Sequence, residues 1–226
     1  MTRTAIITGG AGFIGLHLCR ELIKKKFKVL ILDNFLRGKK DKELKTILKN
    51  KKVKLIKIDL SKKHNFKIKN LSFIFHLAGS VGVKNINKDP LGSLTNNILS
   101  LKNIINLNNN LKKKEKLIIF STSEVYSPII KRNKVKFPIK ENNEIKIENK
   151  IINRDSYYIS KILNEKLVQF SKFDYLILRP HNIYGPRMGF SHVIPELIKK
   201  FTSKKKGSKK KILVFSPSHK RAFCYI

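Results

Sequence analysis

Tyr157 and Lys161 stand four residues apart, a spacing that turns both side chains to one face of a helix beginning near Ser156. An ammonium beside a phenol stabilises the phenolate and lowers a pKa that is ordinarily about 10. A tyrosine tuned in this way can take a proton from a substrate hydroxyl. Tyr158 has no lysine four residues on, so Tyr157 is the expected acid–base group. Tyr-x-x-x-Lys is common by chance, and the pair acquires meaning only from what surrounds it.

The second constellation is Thr8-Gly9-Gly10-Ala11-Gly12-Phe13-Ile14-Gly15, in which Gly9, Gly12 and Gly15 recur every third residue. Gly9 permits a tight turn, Gly12 admits backbone amides to a pyrophosphate, and Gly15 lets a helix pack closely on the preceding strand. The diphosphate would sit at the helix N-terminus, where unpaired amides and the macrodipole favour an anion. Asp33 ends the next strand, where a carboxylate accepts hydrogen bonds from the adenosine ribose and repels the extra phosphate of NADP. The expected cofactor is therefore NAD, with Asp59 at the end of the third strand on its adenine side. Beside a nicotinamide, Tyr157 would remove the hydroxyl proton while hydride leaves the same carbon.

The elements that position these groups follow from apolar patterning. Near-continuous apolar runs at Thr4–Thr8, Lys28–Leu32, Val53–Ile58, Leu71–Leu77, Lys116–Ser121 and Tyr175–Leu178 suit a parallel sheet covered on both faces. Helical spacing occupies Phe13–Lys25, Lys39–Asn50, Leu91–Asn110 and Ser156–Ser171. The alternation predicts an α/β fold, a doubly wound Rossmann sheet with ligands at the carboxyl ends of its strands. Residues 128–150 read as a long polar loop, and 203–211 as a lysine-rich surface connection before a strand at Ile212–Phe215. The expected division is an NAD-binding domain over 1–180 and part of a substrate-binding region over 181–226.

Composition narrows the partners. The formal net charge of +35 would suit a nucleic acid or an anionic membrane. The excess is mainly lysine, spread among isoleucine and asparagine, three residues with A/T-rich codons, and not interleaved with arginine and aromatic residues as phosphate and base recognition would require. No nucleic-acid partner is expected. No apolar run approaches the ~18 residues that span a bilayer. Cys19 and Cys224 suggest neither a disulfide framework nor a metal site, and a cytoplasmic location is expected.

In order along the chain stand TGGAGFIG, Asp33, Asp59-Leu60, HLAG at 76–79, STSEVY at 121–126, Tyr157-Tyr-Ile-Ser-Lys161 and LRPHNIYGP at 178–186. Together they resemble the extended short-chain dehydrogenase/reductase family, within it the NAD-dependent nucleotide-sugar epimerases, dehydratases and decarboxylases. The resemblance implies cofactor contacts at Gly9, Gly12, Phe13, Ile14, Gly15, Asp33, Asn34, Asp59, Leu60, Leu77, Ala78, Gly79, Asn97, Tyr157 and Lys161. Asn97 is alternatively a helix-surface amide, and His76 is expected to be structural. Thr122 would hydrogen-bond the sugar hydroxyl being oxidised, with Tyr157, and Lys161 would hold the nicotinamide ribose. Ser123, Asn182 and Arg221 are the implied substrate contacts, and no metal is implied.

Family dehydratases carry Asp-Glu after the catalytic threonine, whereas this chain has Ser123-Glu124. The implied reaction is of the epimerase type, in which bound NAD oxidises the sugar ring and then re-reduces it. UDP-glucuronate decarboxylation assisted by Glu124, a sugar 4,6-dehydratase, and an NAD-binding module without turnover remain alternatives. Relatives are longer, so a C-terminally truncated chain is expected. They commonly dimerise through the two helices that here span Leu91–Asn110 and Ser156–Ser171, which implies a homodimer.

Overall fold

A computed structural model describes residues 2–64, 68–111, 113–132, 135–190, 192–203, 211, 213–214, 218 and 221–226. The apolar runs form strands. In chain order the elements are β1 (Thr4–Thr8), α1 (Phe13–Lys24), β2 (Lys28–Asp33), α2 (Lys42–Leu48), β3 (Val53–Lys57), β4 (Leu71–His76), α3 (Val83–Lys88), α4 (Pro90–Asn109) and β5 (Lys116–Phe120). A short 3-10 turn, Ser123–Tyr126, leads into α5 (Ser127–Lys131), followed by α6 (Asp155–Gln169), β6 (Tyr175–Leu178), β7 (Asn182–Tyr184), α7 (Val193–Thr202) and β8 (Phe223–Tyr225).

Strands β1 to β6 make one parallel sheet in the order β3-β2-β1-β4-β5-β6, the doubly wound arrangement expected. The strand order reverses between β1 and β4, so the chain leaves β1 toward one edge and returns to build the other. That crossover opens a crevice at the carboxyl ends of β1 and β4, where Thr8 pairs in register with His76.

Successive residues of β1 feed opposite cores, because strand side chains alternate between faces. Ile7 packs with Leu16, Cys19, Val29 and Ile31 under α1, whereas Ile6 packs with Leu32, Ile74, Leu101 and Ile119 under α4. Both isoleucines are fully buried. The two faces together rigidify the central strand from which the crevice loops spring.

The chain divides into two compact units, 1–180 and 181–226. In the second, β7 and β8 pair in parallel, with Asn182 opposite Phe223 and Tyr184 opposite Tyr225. Helix α7 buries none of its residues.

Several boundaries differ from the sequence expectation. Helix α2 begins at Lys42, because the Asp41 carboxylate accepts from Leu44 N at 3.0 Å and caps it there. The segment read as loop from 128 opens instead with α5, where Pro128 occupies the first turn, the position at which proline's missing N–H costs nothing. Of the strand expected at 212–215, only Leu213 and Val214 are described, and they lie in no strand; most of 203–211 also lies outside the described residues. The short elements α3, β7 and β8 carry no strong periodicity or run and are not expected, whereas α7 does carry an amphipathic helical pattern that the sequence reading left out.

Candidate functional site

The glycine loop joins β1 to α1. Gly9 adopts φ +67°, and a Cβ there would lie 2.9 Å from Ala78 N. A Cβ on Gly15 would meet Gly10 Cα and Gly9 O at 2.6 Å, both backbone atoms that cannot rotate away. These approaches hold loop, helix and the β4 segment together around the crevice. Gly12 begins α1 without a side-chain cap, and no acidic residue stands in the first turn. No acidic side chain opposes an anion at the positive end of this helix, which suits a dinucleotide diphosphate.

Gly15→Ala tests the loop. It should lose about 1–3 kcal/mol of stability to overpacking and weaken dinucleotide binding about tenfold, equivalent to ~1.4 kcal/mol. Gly189→Ala is the control, since its Cβ would meet only His192 Cδ2, at 3.9 Å. NAD titrations indistinguishable between the two variants would refute the assignment.

Asp33 has a structural part that the sequence reading missed. Its Oδ2 accepts from Ala11 N at 2.9 Å and its Oδ1 from Phe35 N at 2.8 Å, so the carboxylate ties the glycine loop to the end of β2. A carboxylate has about four acceptor positions, and the other two remain chemically suited to a ribose diol. Asn34 caps the neighbouring turn by accepting from Leu36 N at 3.0 Å. Asp59 is exposed and accepts from Ser61 N and Oγ at 3.0 and 2.7 Å, which holds its carboxyl below the ordinary range. Leu60, expected against the cofactor, directs its side chain into the core under α4. Phe13 meets His17 edge-on, and Ile14 is half-buried.

Around the end of β5 the expected catalytic residues converge. Thr122 starts the 3-10 turn, with its Oγ1 accepting from Glu124 N at 3.2 Å. Its side chain is within hydrogen-bonding reach of the Tyr157 hydroxyl. Lys161, 4% exposed, donates from Nζ to the Phe120 carbonyl at 2.7 Å. A Cβ on Gly79 would lie 3.6 Å from Lys161 Nζ and 3.1 Å from Asn97 Oδ1, so the absent side chain leaves room between them. Tyr158 instead packs with Val125, Tyr126, Ile129 and Ile162.

Electrostatics depart from expectation at the tyrosine. Burial, reinforced by the Glu124 charge, pushes the Tyr157 hydroxyl up to about 12. Lys161 Nζ lies 5.9 Å from the Tyr157 ring centre and directs one of its three donors to the Phe120 carbonyl. Thr122 and the more distant Arg37 pull in the lowering direction. Glu124 is paired with Arg154 at 3.5 Å. Burial brings Lys161 down to about 8, against the charge of Glu165.

Asn97 is not a surface amide. It is 1% exposed, accepts from Ser80 N at 2.5 Å and donates to Ser80 O and Ser160 Oγ at 3.3 and 2.9 Å. It thereby fastens the segment after β4 to α6. Thr8 does the same job on the other side, its Oγ1 accepting from Ala78 N at 3.0 Å and meeting His76 Nδ1 at 3.0 Å. Leu77 N bonds to Thr8 O at 3.2 Å. The only clue to Thr8 in the sequence is its place just before Gly9.

In the second unit, Asn182 donates to the Ala222 carbonyl at 3.0 Å, which brings it beside the segment carrying exposed Arg221. Ser123 belongs to the first unit, its amide bonded to Pro180 O at 3.1 Å. Cys19 is buried and Cys224 exposed, both free. Among the described residues no group of His, Cys, Asp or Glu could hold a metal ion, and no helix is long and apolar enough to cross a membrane.

Against known proteins, a profile described as the NAD dependent epimerase/dehydratase family matches residues 5–226. The chain is 34% identical over 207 residues to a UDP-N-acetyl-alpha-D-glucosaminuronate decarboxylase of Bacillus cytotoxicus, covering 88% of this chain and 61% of that protein. It is also 34% identical over 216 residues to dTDP-D-glucose 4,6-dehydratase of Dictyostelium discoideum, covering 89% and 48%. The chain thus spans 61% and 48% of the lengths of these two curated relatives. Among solved structures, it is similar to a UDP-glucuronic acid 4-epimerase from Bacillus cereus in complex with UDP-glucuronic acid and NAD. That likeness has a TM-score of 0.77 at 26% identity, over 98% of this chain and 69% of that one. With its ordered motifs, its sheet order and this match over nearly its whole length, the chain belongs to the NAD dependent epimerase/dehydratase family.

Proposed function

We propose that the chain holds NAD and acts on the sugar ring of a nucleotide-sugar in an epimerase-type reaction. The observation that carries this reading is the convergence of Thr122, Tyr157 and Lys161 around the end of β5, with Gly79 leaving space beside Lys161. The residues fit the cofactor: Gly9 and Gly15 make a cradle that a side chain would fill, the N-terminus of α1 lacks a side-chain cap, and Asp33 retains acceptor capacity. NAD when bound supplies a hydride acceptor that returns its hydride, so it is regenerated. Thr122 orients the substrate hydroxyl toward Tyr157, and the Tyr157 oxygen takes and returns that hydroxyl's proton. Lys161 binds the nicotinamide ribose.

A second reading, decarboxylation of a nucleotide-linked uronic acid, is favoured by one observation. Glu124 stands two residues after Thr122 and its charge reaches Tyr157. We also propose that two copies pair through α4 and α6, where Leu91, Leu99, Leu163 and Phe170 are exposed.

The purified chain should bind NAD and, on a panel of UDP- and dTDP-sugars, yield an isomer without net change in NAD. Carbon dioxide released from UDP-glucuronate would select the second reading. NAD binding without any turnover would reduce the chain to a binding module, and failure to bind NAD would sink both readings. The same preparation should elute from a sizing column as a dimer; a monomer would refute the pairing.

A further inference from the structure

Beside the Thr122–Tyr157–Lys161 group lies a polar cluster that the proposed chemistry does not use. Glu165, 2% exposed, sits one turn after Lys161 on α6. One of its oxygens accepts from Ser121 Oγ at 2.5 Å and from Arg179 Nε at 2.9 Å, the other from Arg179 Nη2 at 2.6 Å. Arg179 also donates to the Tyr126 hydroxyl and to the Glu141 carbonyl, the latter at 3.1 Å. The backbone beside Arg179 grips the same strand end. Ser121 N bonds to Leu178 O at 2.7 Å and Ser123 N to Pro180 O at 3.1 Å, with Thr122 between them.

Burying an ion pair is expensive, and an apolar pair of the same volume commonly stabilises as well. A reason specific to this site is therefore needed, and it lies in what faces Lys161. The Phe120 carbonyl faces it from β5, His76 from β4, the Tyr157 ring and Glu165 from its own helix, and the Asn97 amide of α4 shares the space by Gly79. Of these groups, Glu165 alone is a carboxylate.

We infer that Glu165 is a positioning residue of this site, locking the strand end that carries Thr122 to the helix that carries Tyr157 and Lys161 and keeping the buried Lys161 amine protonated. The inference rests on the reading of Lys161 as a working residue of the proposed site. Glu165 supplies the charge that opposes the effect of burial on Lys161. Without it the amine becomes neutral at a lower pH, and the cation beside the nicotinamide ribose is lost.

The test is the pH titration of the Lys161 amine in the folded 226-residue protein, read by nitrogen NMR of its Nζ, which needs no reagent to reach a side chain only 4% exposed. The wild-type midpoint is expected at about 8. Glu165→Asp keeps the charge and should hold that midpoint within roughly half a unit, whereas Glu165→Gln should lower it by about one unit, a tenfold rise in the neutral fraction below the midpoint. Should Glu165→Gln not fold, Arg179→Met leaves the Glu165 charge without its guanidinium partner, so the midpoint should rise. An unmoved midpoint in Glu165→Gln, or in Arg179→Met where only that variant folds, overturns the inference, as does Glu165→Asp moving as far as Glu165→Gln. The titration needs neither NAD nor substrate. A wild-type chain that binds no NAD would therefore defeat the functional reading while leaving this result legible on its own.

Discussion

Tyr157→Phe is expected to cut conversion of a nucleotide-sugar by about 10²–10⁴-fold, the usual contribution of a positioned acid–base group, while NAD affinity stays within roughly twofold. The variant removes one oxygen and keeps the ring. Only the step that needs a proton carrier at that position should suffer. The hydroxyl is pushed up to about 12, so at neutral pH it rests protonated. It must become a base when the substrate hydroxyl arrives, and the groups that favour this are Thr122, within hydrogen-bonding reach, and the charge of Arg37. Burial and Glu124 oppose it. A wild-type rate that rises with pH through the neutral range would accord with a base whose pKa lies well above it. The decisive comparison is NAD titration and sugar conversion on the two proteins side by side. Undiminished conversion by Tyr157→Phe would eliminate Tyr157 as the proton carrier, and a parallel loss of NAD binding would make its role structural.

Much of this site is legible in the sequence because its signals are local. The Gly9–Gly12–Gly15 spacing encodes a turn and a close helix approach within eight residues. The interval from Tyr157 to Lys161 puts both residues on one face of α6 from helical geometry alone. The apolar runs of β1, β2, β4 and β5 announce strands buried on both faces, whereas the equally apolar run of β6 forms an edge strand that is largely exposed. What escaped are contacts between residues far apart in the chain. Asn97 reaches Ser160 across 63 residues, and Thr8 meets His76 across 68. No periodicity encodes such pairings; they exist only once β1, β4, α4 and α6 have assembled. For the same reason the pKa of Tyr157 was expected in the wrong direction. The interval from Tyr157 to Lys161 says that the two share a face, but not how deeply the hydroxyl is buried or that the Glu124 charge reaches it. Asp33 illustrates both sides: its position at a strand end was readable, whereas its two bonds to Ala11 and Phe35 amides were not.

His76 leads to the second large effect, on stability in acid. It closes β4 at 2% exposure, with Nδ1 against Thr8 Oγ1, while Nε2 has no hydrogen-bond partner among the described residues. Protonation there would bury a cation with an unsatisfied N–H near the Lys161 ammonium. Burial first, and then the charge of Lys161, brings the imidazole down to about 3 from an ordinary 6.5. Because the folded value is the lower one, the unfolded chain binds the extra proton throughout that interval. Stability therefore rises with pH across it and is lost as pH falls below 6.5. At 1.36 kcal/mol per unit, the loss is about 3 kcal/mol by pH 4.5 and about 5 kcal/mol at the foot of the interval. His76→Asn keeps a polar atom for Thr8 but cannot titrate. It should be less stable than wild type at pH 7, through the space it leaves, yet lose less on acidification, so that urea unfolding curves for the two proteins converge toward pH 4.5. A stability difference that stays constant between pH 7 and 4.5 would show that the acid response arises elsewhere. The fold would then tolerate a charged imidazole beneath the glycine loop, and burial of His76 would exert no control over the loop's acid limit.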